Sequence, residues 1–237
     1  MTAAITATAT VPAVTVLPPA TEVAAVALVL PGGKARSRDP MSPRQLTGLR
    51  MRPFASALRD HGAPHGVAVW SVRYRVRGWN GSAADPVSDA GWALDEVRRR
   101  HGDLPVVVVG HSMGGRAAIH VAGDVAVRGV VALAPWIEPG DPVNQLRGRS
   151  LLVAHGSKDV ITSAASSRRF AELAAGVTEP VAGVRVRGDL HAMLLRWRTW
   201  HRLATGWTLA TLGLAPMPAD LARAVDLGRA GDFAVPL

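Results

Sequence analysis

The chain has 237 residues, of which 48% are hydrophobic, so its length and composition suit one globular domain and exclude a largely disordered protein. The formal net charge of +9 requires a nucleic-acid partner to be considered, but the arginines that produce it are scattered and form no recognisable binding motif, so we expect none. The absence of cysteine excludes disulfides and thiolate metal sites, and it is compatible with a reducing, cytoplasmic location.

The N-terminal part of the chain differs from the rest in composition. It is rich in alanine, threonine, valine and proline and lacks the basic start of a signal peptide, so we predict a tail or an edge hairpin over residues 1–22 and one domain over residues 23–237. The best candidate for a membrane-spanning run, residues 193–214, is interrupted by three arginines and a histidine. We therefore expect no membrane partner.

Strand-like and helix-like segments alternate along the predicted domain. Short apolar runs rich in β-branched residues indicate strands, whereas apolar residues at helical spacing indicate helices. This alternation is typical of an α/β domain. The predicted strands are residues 23–30, 66–74, 106–109, 128–134, 151–154 and 181–186, and the predicted helices are residues 45–61, 86–101, 116–122, 163–175, 196–214 and 219–230.

One junction between a strand and a helix carries a catalytic motif. Four valines at 106–109 lead into residues 110–114, Gly-His-Ser-Met-Gly, which match G-x-S-x-G, and a predicted helix follows. The glycines permit a sharp turn that lifts the serine hydroxyl above the sheet edge, so we predict Ser112 as a nucleophile. With these residues the chain resembles the α/β-hydrolase family, in particular its small lidless esterases and dienelactone hydrolases, although the latter often use cysteine.

The resemblance implies the α/β-hydrolase fold, with a mostly parallel central sheet and helices on both faces. It also implies a catalytic triad in the chain order Ser112, Asp159, His191. Asp159 follows a His-Gly pair in a run that resembles the acid loop of the family, and His191 follows the last predicted strand. Asp141, which follows the preceding strand, is the alternative acid. In this triad the histidine acts as the base and the carboxylate orients it.

The same resemblance assigns an oxyanion hole made of two backbone N–H groups. One is the N–H of Met113, directly after the nucleophile. The other comes from the loop after the first predicted strand, where Gly33 takes the donor position and Gly32 or Lys34 are the alternatives. Relatives often carry a histidine in this loop at the place of Pro31. We therefore expect Met113 and Gly33 to hold the oxyanion.

Two tryptophans are candidate substrate-binding residues. Trp136 lies where a wall of the substrate pocket is expected, and Trp79 either lines the rim of the site or packs beneath its own loop.

Many relatives insert a lid domain after the strand that precedes Trp136. This chain has only a short segment there, residues 143–148, before the next strand. We therefore expect an open site without a sizeable lid domain.

No motif for another chemistry is present in the sequence. A P-loop, a dinucleotide fingerprint and a cluster of metal ligands are all lacking, so we expect no cofactor and no metal.

The resemblance implies a serine hydrolase that cleaves a carboxylic ester or related acyl bond of a small molecule through an acyl-enzyme. The alternatives are an acyltransferase or cofactor-free perhydrolase on the same triad, and a non-catalytic binding protein. The natural substrate and the oligomeric state stay open.

Overall fold

The fold is built on an eight-stranded sheet. The computed structural model describes residues 11–237, so the first ten residues of the predicted N-terminal segment lie outside the described part. The strands are β1 (Ala13–Leu17), β2 (Ala25–Leu30), β3 (Val67–Arg73), β4 (Val106–His111), β5 (Val127–Leu133), β6 (Ser150–Gly156), β7 (Val181–Val186) and β8 (Val235–Pro236).

The strands lie in the order β1-β3-β2-β4-β5-β6-β7-β8. Only β1 runs antiparallel to its neighbour, and every other pair of neighbouring strands is parallel. Parallel neighbours need crossover connections, which are usually helical. The helices are α1 (Leu46–Gly62), α2 (Asp85–His101), α3 (Met113–His120), α4 (Ala164–Ala175), α5 (Trp197–Thr211) and α6 (Ala219–Arg229).

The four consecutive valines of β4 show why its sequence does not alternate between polar and apolar residues. Side chains along a strand point alternately to opposite faces of the sheet. Val106 and Val108 pack in a core shared with α2, α3 and α4, whereas Val107 and Val109 pack in a second core shared with α1, α5 and α6. Both faces of the strand are therefore buried, which is typical of a parallel sheet. The predicted fold class, a mostly parallel sheet covered by helices on both faces, is confirmed.

Three elements differ from the sequence-based prediction. Helix α3 begins at Met113, three residues before the predicted start, because Gly114 and the residue after it continue the turn directly into the helix. Strand β1 pairs with β3 at one edge of the sheet. Strand β8 at the other edge has only two residues. Such a short strand is defined by its pairing with β7 and not by a hydrophobic pattern of its own.

The segment between β5 and β6 is short, as predicted. Residues 134–149 form one 3-10 turn, Asn144–Leu146, and otherwise run as loop. No sizeable lid domain is therefore inserted at this point of the described chain.

None of the helices within residues 11–237 combines the length and the apolar character needed to cross a membrane.

Gly114 provides a test of the close approach between α3 and the loop after β2. A Cβ atom at Gly114 would lie 2.5 Å from the Pro31 carbonyl oxygen, so we expect Gly114→Ala to lower the free energy of unfolding by about 1–3 kcal/mol. Gly91→Ala in α2 is the matched control. A Cβ there meets nothing within 4 Å, and replacing a helix glycine should raise stability by roughly 0.5–1 kcal/mol. Urea unfolding followed by circular dichroism measures both, and equal stability of the two variants would contradict the tight approach.

Candidate active site

Ser112 occupies a strained turn between β4 and α3. Its backbone has φ 55° and ψ −118°, a conformation that is costly for a residue with a side chain. Backbone hydrogen bonds hold it there: its N–H donates to the Leu133 carbonyl at 3.0 Å, and its carbonyl accepts from Gly115 N at 3.0 Å and Trp136 N at 3.1 Å. The turn therefore fixes the direction in which the serine side chain leaves the sheet.

The loop after β2 runs directly beside the serine. A Cβ atom at Gly32 would lie 3.3 Å from the Cβ of Ser112, and a Cβ at Gly33 would collide with the Met113 side chain. Only residues without a side chain let the backbone come this close. The backbone of Gly32 and Gly33 thus lies directly beside Ser112 and the side chain of Met113.

Hydrogen bonding narrows the choice of oxyanion donor in this loop. The Lys34 N–H donates to the Arg77 carbonyl at 2.8 Å, so it is engaged in the fold. The N–H groups of Gly32, Gly33 and Met113 donate to no protein acceptor among residues 11–237. Of the three loop residues considered from the sequence, the two glycines thus keep an N–H group that can hold a substrate oxygen.

Asp159 and His191 form a hydrogen-bonded pair at the same edge of the sheet. Asp159 Oδ2 lies 2.8 Å from His191 Nδ1, and the carboxylate side chain is fully buried. Its other oxygen accepts from the N–H groups of Ile161 at 2.8 Å and Thr162 at 3.2 Å. Burial alone raises the pKa of Asp159, but the hydrogen bonds from His191 and from these N–H groups outweigh it, so the pKa is lower than usual.

A second histidine supports the same carboxylate. His155 is buried, and its Nε2 lies 3.1 Å from Asp159 Oδ2, while its Nδ1 lies 2.9 Å from the Ser167 hydroxyl. The hydrogen-bond acceptor of Nε2 is the Thr162 carbonyl at 3.3 Å, so Nε2 carries the proton and Nδ1 accepts from Ser167. Burial lowers the pKa of His155, which favours this neutral form. Only the fold reveals this contact, since the sequence shows no more than a histidine four residues before Asp159.

His111 ties the histidine loop to the nucleophile turn. Its Nε2 lies 3.0 Å from the backbone carbonyl of His191, so this nitrogen donates, and the two imidazole rings are 4.7 Å apart. Burial lowers the pKa of His111 to about 3, so the ring stays neutral. Since His111 directly precedes Ser112, this bond brings the predicted base beside the predicted nucleophile.

The described hydrogen bonds join acid to base, but none joins the base to the nucleophile. Within residues 11–237, neither ring nitrogen of His191 is bonded to the Ser112 hydroxyl. Bonds of this kind are often long until a substrate is bound. The structure therefore shows the Asp159–His191 pair formed and the His191 loop tied through His111 to the residue before Ser112.

Asp189 holds the loop that carries His191. Its carboxylate has no exposed surface and accepts four hydrogen bonds. The donors are Leu190 N at 2.7 Å, Leu195 N at 3.3 Å, Arg196 N at 2.8 Å and Trp200 Nε1 at 2.8 Å. The loop is thereby fastened to the start of α5. A polar residue near His191 was visible in the sequence, but its partners come together only in the folded chain.

Asp141, the alternative acid, is engaged with other residues. Its Oδ1 lies 2.8 Å from Arg116 Nε and 2.9 Å from His120 Nε2, and its Oδ2 accepts from Glu138 N at 2.8 Å. None of its hydrogen bonds reaches His191. The geometry therefore favours Asp159 as the acid.

The two tryptophans enclose an arginine. The guanidinium of Arg116 lies 4.3 Å from the Trp79 ring and 4.7 Å from the Trp136 ring. Trp79 is only 5% exposed, so this packing leaves little of it to contact a substrate, in contrast to its predicted binding role. Trp136 is half-buried, and its backbone N–H is bonded to the Ser112 carbonyl. Of the two, Trp136 is the more exposed and the one bonded to Ser112, so it stays the candidate substrate-binding residue.

The described residues contain no group of three or more His, Asp or Glu side chains placed to hold a metal ion. A groove of about 730 Å³ between α1 and α5 is lined by neither Ser112, Asp159 nor His191.

Comparison with known proteins gives a family match over part of the chain. The family described as serine aminopeptidase, S33, matches residues 65–151, a segment that includes Ser112 but neither Asp159 nor His191. No curated protein matches the chain. The comparison with solved structures, by contrast, gives matches over most of its length.

Three solved structures illustrate that similarity. Est1E from Butyrivibrio proteoclasticus, solved with ferulic acid, is 12% identical, with a TM-score of 0.63 over 85% of this chain and 96% of that one. A thermophilic esterase from Thermogutta terrifontis is 17% identical, with a TM-score of 0.63 over 88% and 92%. A Xanthomonas campestris protein described as an α/β serine hydrolase without a lid is 19% identical, with a TM-score of 0.56 over 81% and 87%.

Identities this low establish the fold and not the activity. The strand order, the strained turn at Ser112 and the short connection between β5 and β6 agree with these similarities. The chain therefore has the α/β-hydrolase fold, without a sizeable lid domain in its described part.

Proposed function

We propose that the protein is a serine hydrolase that cleaves a carboxylic ester or a related acyl bond of a small molecule. The observation that carries this proposal is the buried carboxylate of Asp159, 2.8 Å from His191, at the sheet edge where the strained turn presents Ser112. The structural similarity to proteins described as esterases also supports it. For the location we propose the cytoplasm, with which the absence of cysteine is compatible.

The reaction follows from the roles that the geometry permits. Ser112 Oγ attacks the carbonyl carbon of the substrate while His191 Nε2 takes the hydroxyl proton. His191 Nδ1 keeps its proton and donates it in a hydrogen bond to Asp159, whose negative charge stabilises the imidazolium that forms. The N–H groups of Met113 and of Gly32 or Gly33 hold the oxyanion. His191 then protonates the departing alcohol, and water releases the acyl group by the reverse sequence of proton transfers.

The first test concerns the nucleophile. We expect Ser112→Ala to lower kcat for p-nitrophenyl acetate by roughly 10⁴-fold or more, because the acyl-enzyme can no longer form. The variant should also fail to react with a fluorophosphonate probe, while circular dichroism shows an unchanged fold. Ser157→Ala, a serine of the acid loop that donates no proton to His191, is the matched control and should retain labelling. Substantial turnover by the Ser112 variant would refute the proposal.

A second test separates the two acids. We expect Asp159→Asn to lower kcat by roughly 10⁴-fold, because the amide no longer holds the imidazole in the required tautomer. Asp141→Asn is the control, since it changes an equally buried carboxylate that contacts Arg116 and His120 instead of His191. It should leave kcat within about threefold of the parent protein. Steady-state kinetics on both variants measures the two values of kcat. A larger loss of kcat in Asp141→Asn than in Asp159→Asn would assign the acid to Asp141.

The pH dependence of kcat/KM provides a third test. The pKa of Asp159 is held below its usual value and that of His111 is about 3, so neither group changes charge between pH 5 and pH 8. Protonated His191 cannot accept the serine proton. We therefore expect kcat/KM to fall on acidification with a slope of one proton over this range. Turnover is followed at the isosbestic wavelength of the nitrophenol product, and a flat profile would remove histidine as the base.

A further inference from the structure

Exposed apolar side chains are concentrated around the proposed active site. Of the ten large apolar residues that are exposed in residues 11–237, five lie on the two loops that carry Asp159 and His191, a sixth begins α5 directly after the second loop, and the other four are scattered. Val160 and Leu195, for example, are 88% and 65% exposed. We name these six residues the apolar rim; they are Val160, Ile161, Leu190, Leu194, Leu195 and Trp197.

The two loops of the apolar rim lie side by side and are held in place. Asp159 is bonded to His191, and the Lys158 N–H donates to the Asp189 carbonyl at 2.9 Å. The carboxylate of Asp189 fixes the backbone from Leu190 to Arg196 on its inner side. The inner positions are thus filled by polar groups and by the buried Met193, and the leucines around them face outward.

The charges of the two loops are of one sign. Lys158, Arg196 and Arg198 are exposed, and none of them is paired with a carboxylate among residues 11–237. The guanidinium of Arg198 lies 4.8 Å from the ring of Trp197. The acidic side chains of the loops, those of Asp159 and Asp189, are both buried. The surface therefore combines apolar side chains with free cations and exposes no carboxylate of its own.

The groove next to Trp197 adds one acidic residue, but it is already neutralised. Asp60 lines the groove between α1 and α5 together with Trp197, and its carboxylate lies 2.6 Å from Arg59. The three cations beside the apolar rim consequently have no anionic partner on this part of the protein. A partner that fits this surface must accept apolar side chains and supply negative charge.

We propose that the apolar rim docks the protein on an anionic lipid surface, with the leucines and Trp197 inserted among the lipids and Lys158, Arg196 and Arg198 at the headgroups. Apolar side chains together with basic ones are the combination by which proteins lie on such interfaces. A protein partner on this surface would cover the entrance to His191, whereas a lipid surface leaves an ester in contact with it. This proposal departs from the sequence-based expectation of no membrane partner, which rested on the lack of a run long enough to span a bilayer.

Co-sedimentation with vesicles tests the docking. We expect the full-length protein to bind vesicles of phosphatidylcholine with about 30 mol% phosphatidylserine, to bind pure phosphatidylcholine vesicles much less, and to lose binding as salt is raised. Leu194→Ser with Leu195→Ser should lower the bound fraction roughly fivefold. Val125→Ser with Leu173→Ser changes two equally exposed apolar residues elsewhere and should bind like the parent protein.

A charge-changing pair provides a second, independent arm. Arg196→Gln with Arg198→Gln should remove the preference for phosphatidylserine, whereas Arg169→Gln with Arg223→Gln, two exposed arginines on α4 and α6, should keep it. Circular dichroism confirms that each variant is folded. No binding to either vesicle, or equal binding by the rim variants and their controls, would overturn the proposal. A dimer in sedimentation velocity that the two leucine substitutions dissociate would also overturn it, because the rim would then be a protein interface.

That the docked protein receives an ester from the lipid surface rests on the proposed function. The docking itself does not depend on that function. Vesicle binding is therefore also measured with Ser112→Ala, which should bind like the parent protein. Retained hydrolysis without vesicle binding would overturn the docking alone. Retained vesicle binding without hydrolysis that depends on Ser112 would overturn the proposed function alone.

Discussion

The structure depends on a strained turn that only a close approach of backbones can hold. Ser112 adopts a positive φ, and the cost is offset because its N–H and carbonyl are both bonded to segments that are fixed in the core. The approach requires Gly110 and Gly114, where any Cβ atom would collide with backbone. The buried valines of β4 and the adjoining strands supply the rigid frame. The backbone therefore fixes the direction in which the Ser112 side chain leaves the sheet.

Buried charge is handled in two ways at the same sheet edge. Asp159 and Asp189 both have carboxylates that are removed from water, and each is compensated by several N–H donors. Among the donors to Asp159 is the imidazole of His191, and this is the pair to which we assign the proposed reaction. The donors to Asp189 are backbone groups and an indole, so its charge fixes the loop.

The polar groups inside these loops explain why apolar side chains lie on their outer surface. Polar groups around Asp159 and Asp189 occupy the interior positions, so the apolar side chains of the same short segments are left facing solvent. A loop too short to form a core of its own cannot bury both sets. This explains why large exposed apolar residues are concentrated at the site and are sparse over the rest of the described surface.

The sequence alone determined the fold class, the turn that presents Ser112 and the chain order of Ser112, Asp159 and His191, because these depend on local periodicity and on motifs within a few residues. It left open whether Lys34 could serve as an oxyanion donor and whether Trp79 was exposed. It did not give the hydrogen-bond partners of His155, and it gave no sign that β8 completes the sheet. The tertiary structure decided these points because each depends on contacts between segments far apart in the chain, and a sequence pattern does not report which backbone or side-chain partners meet in space.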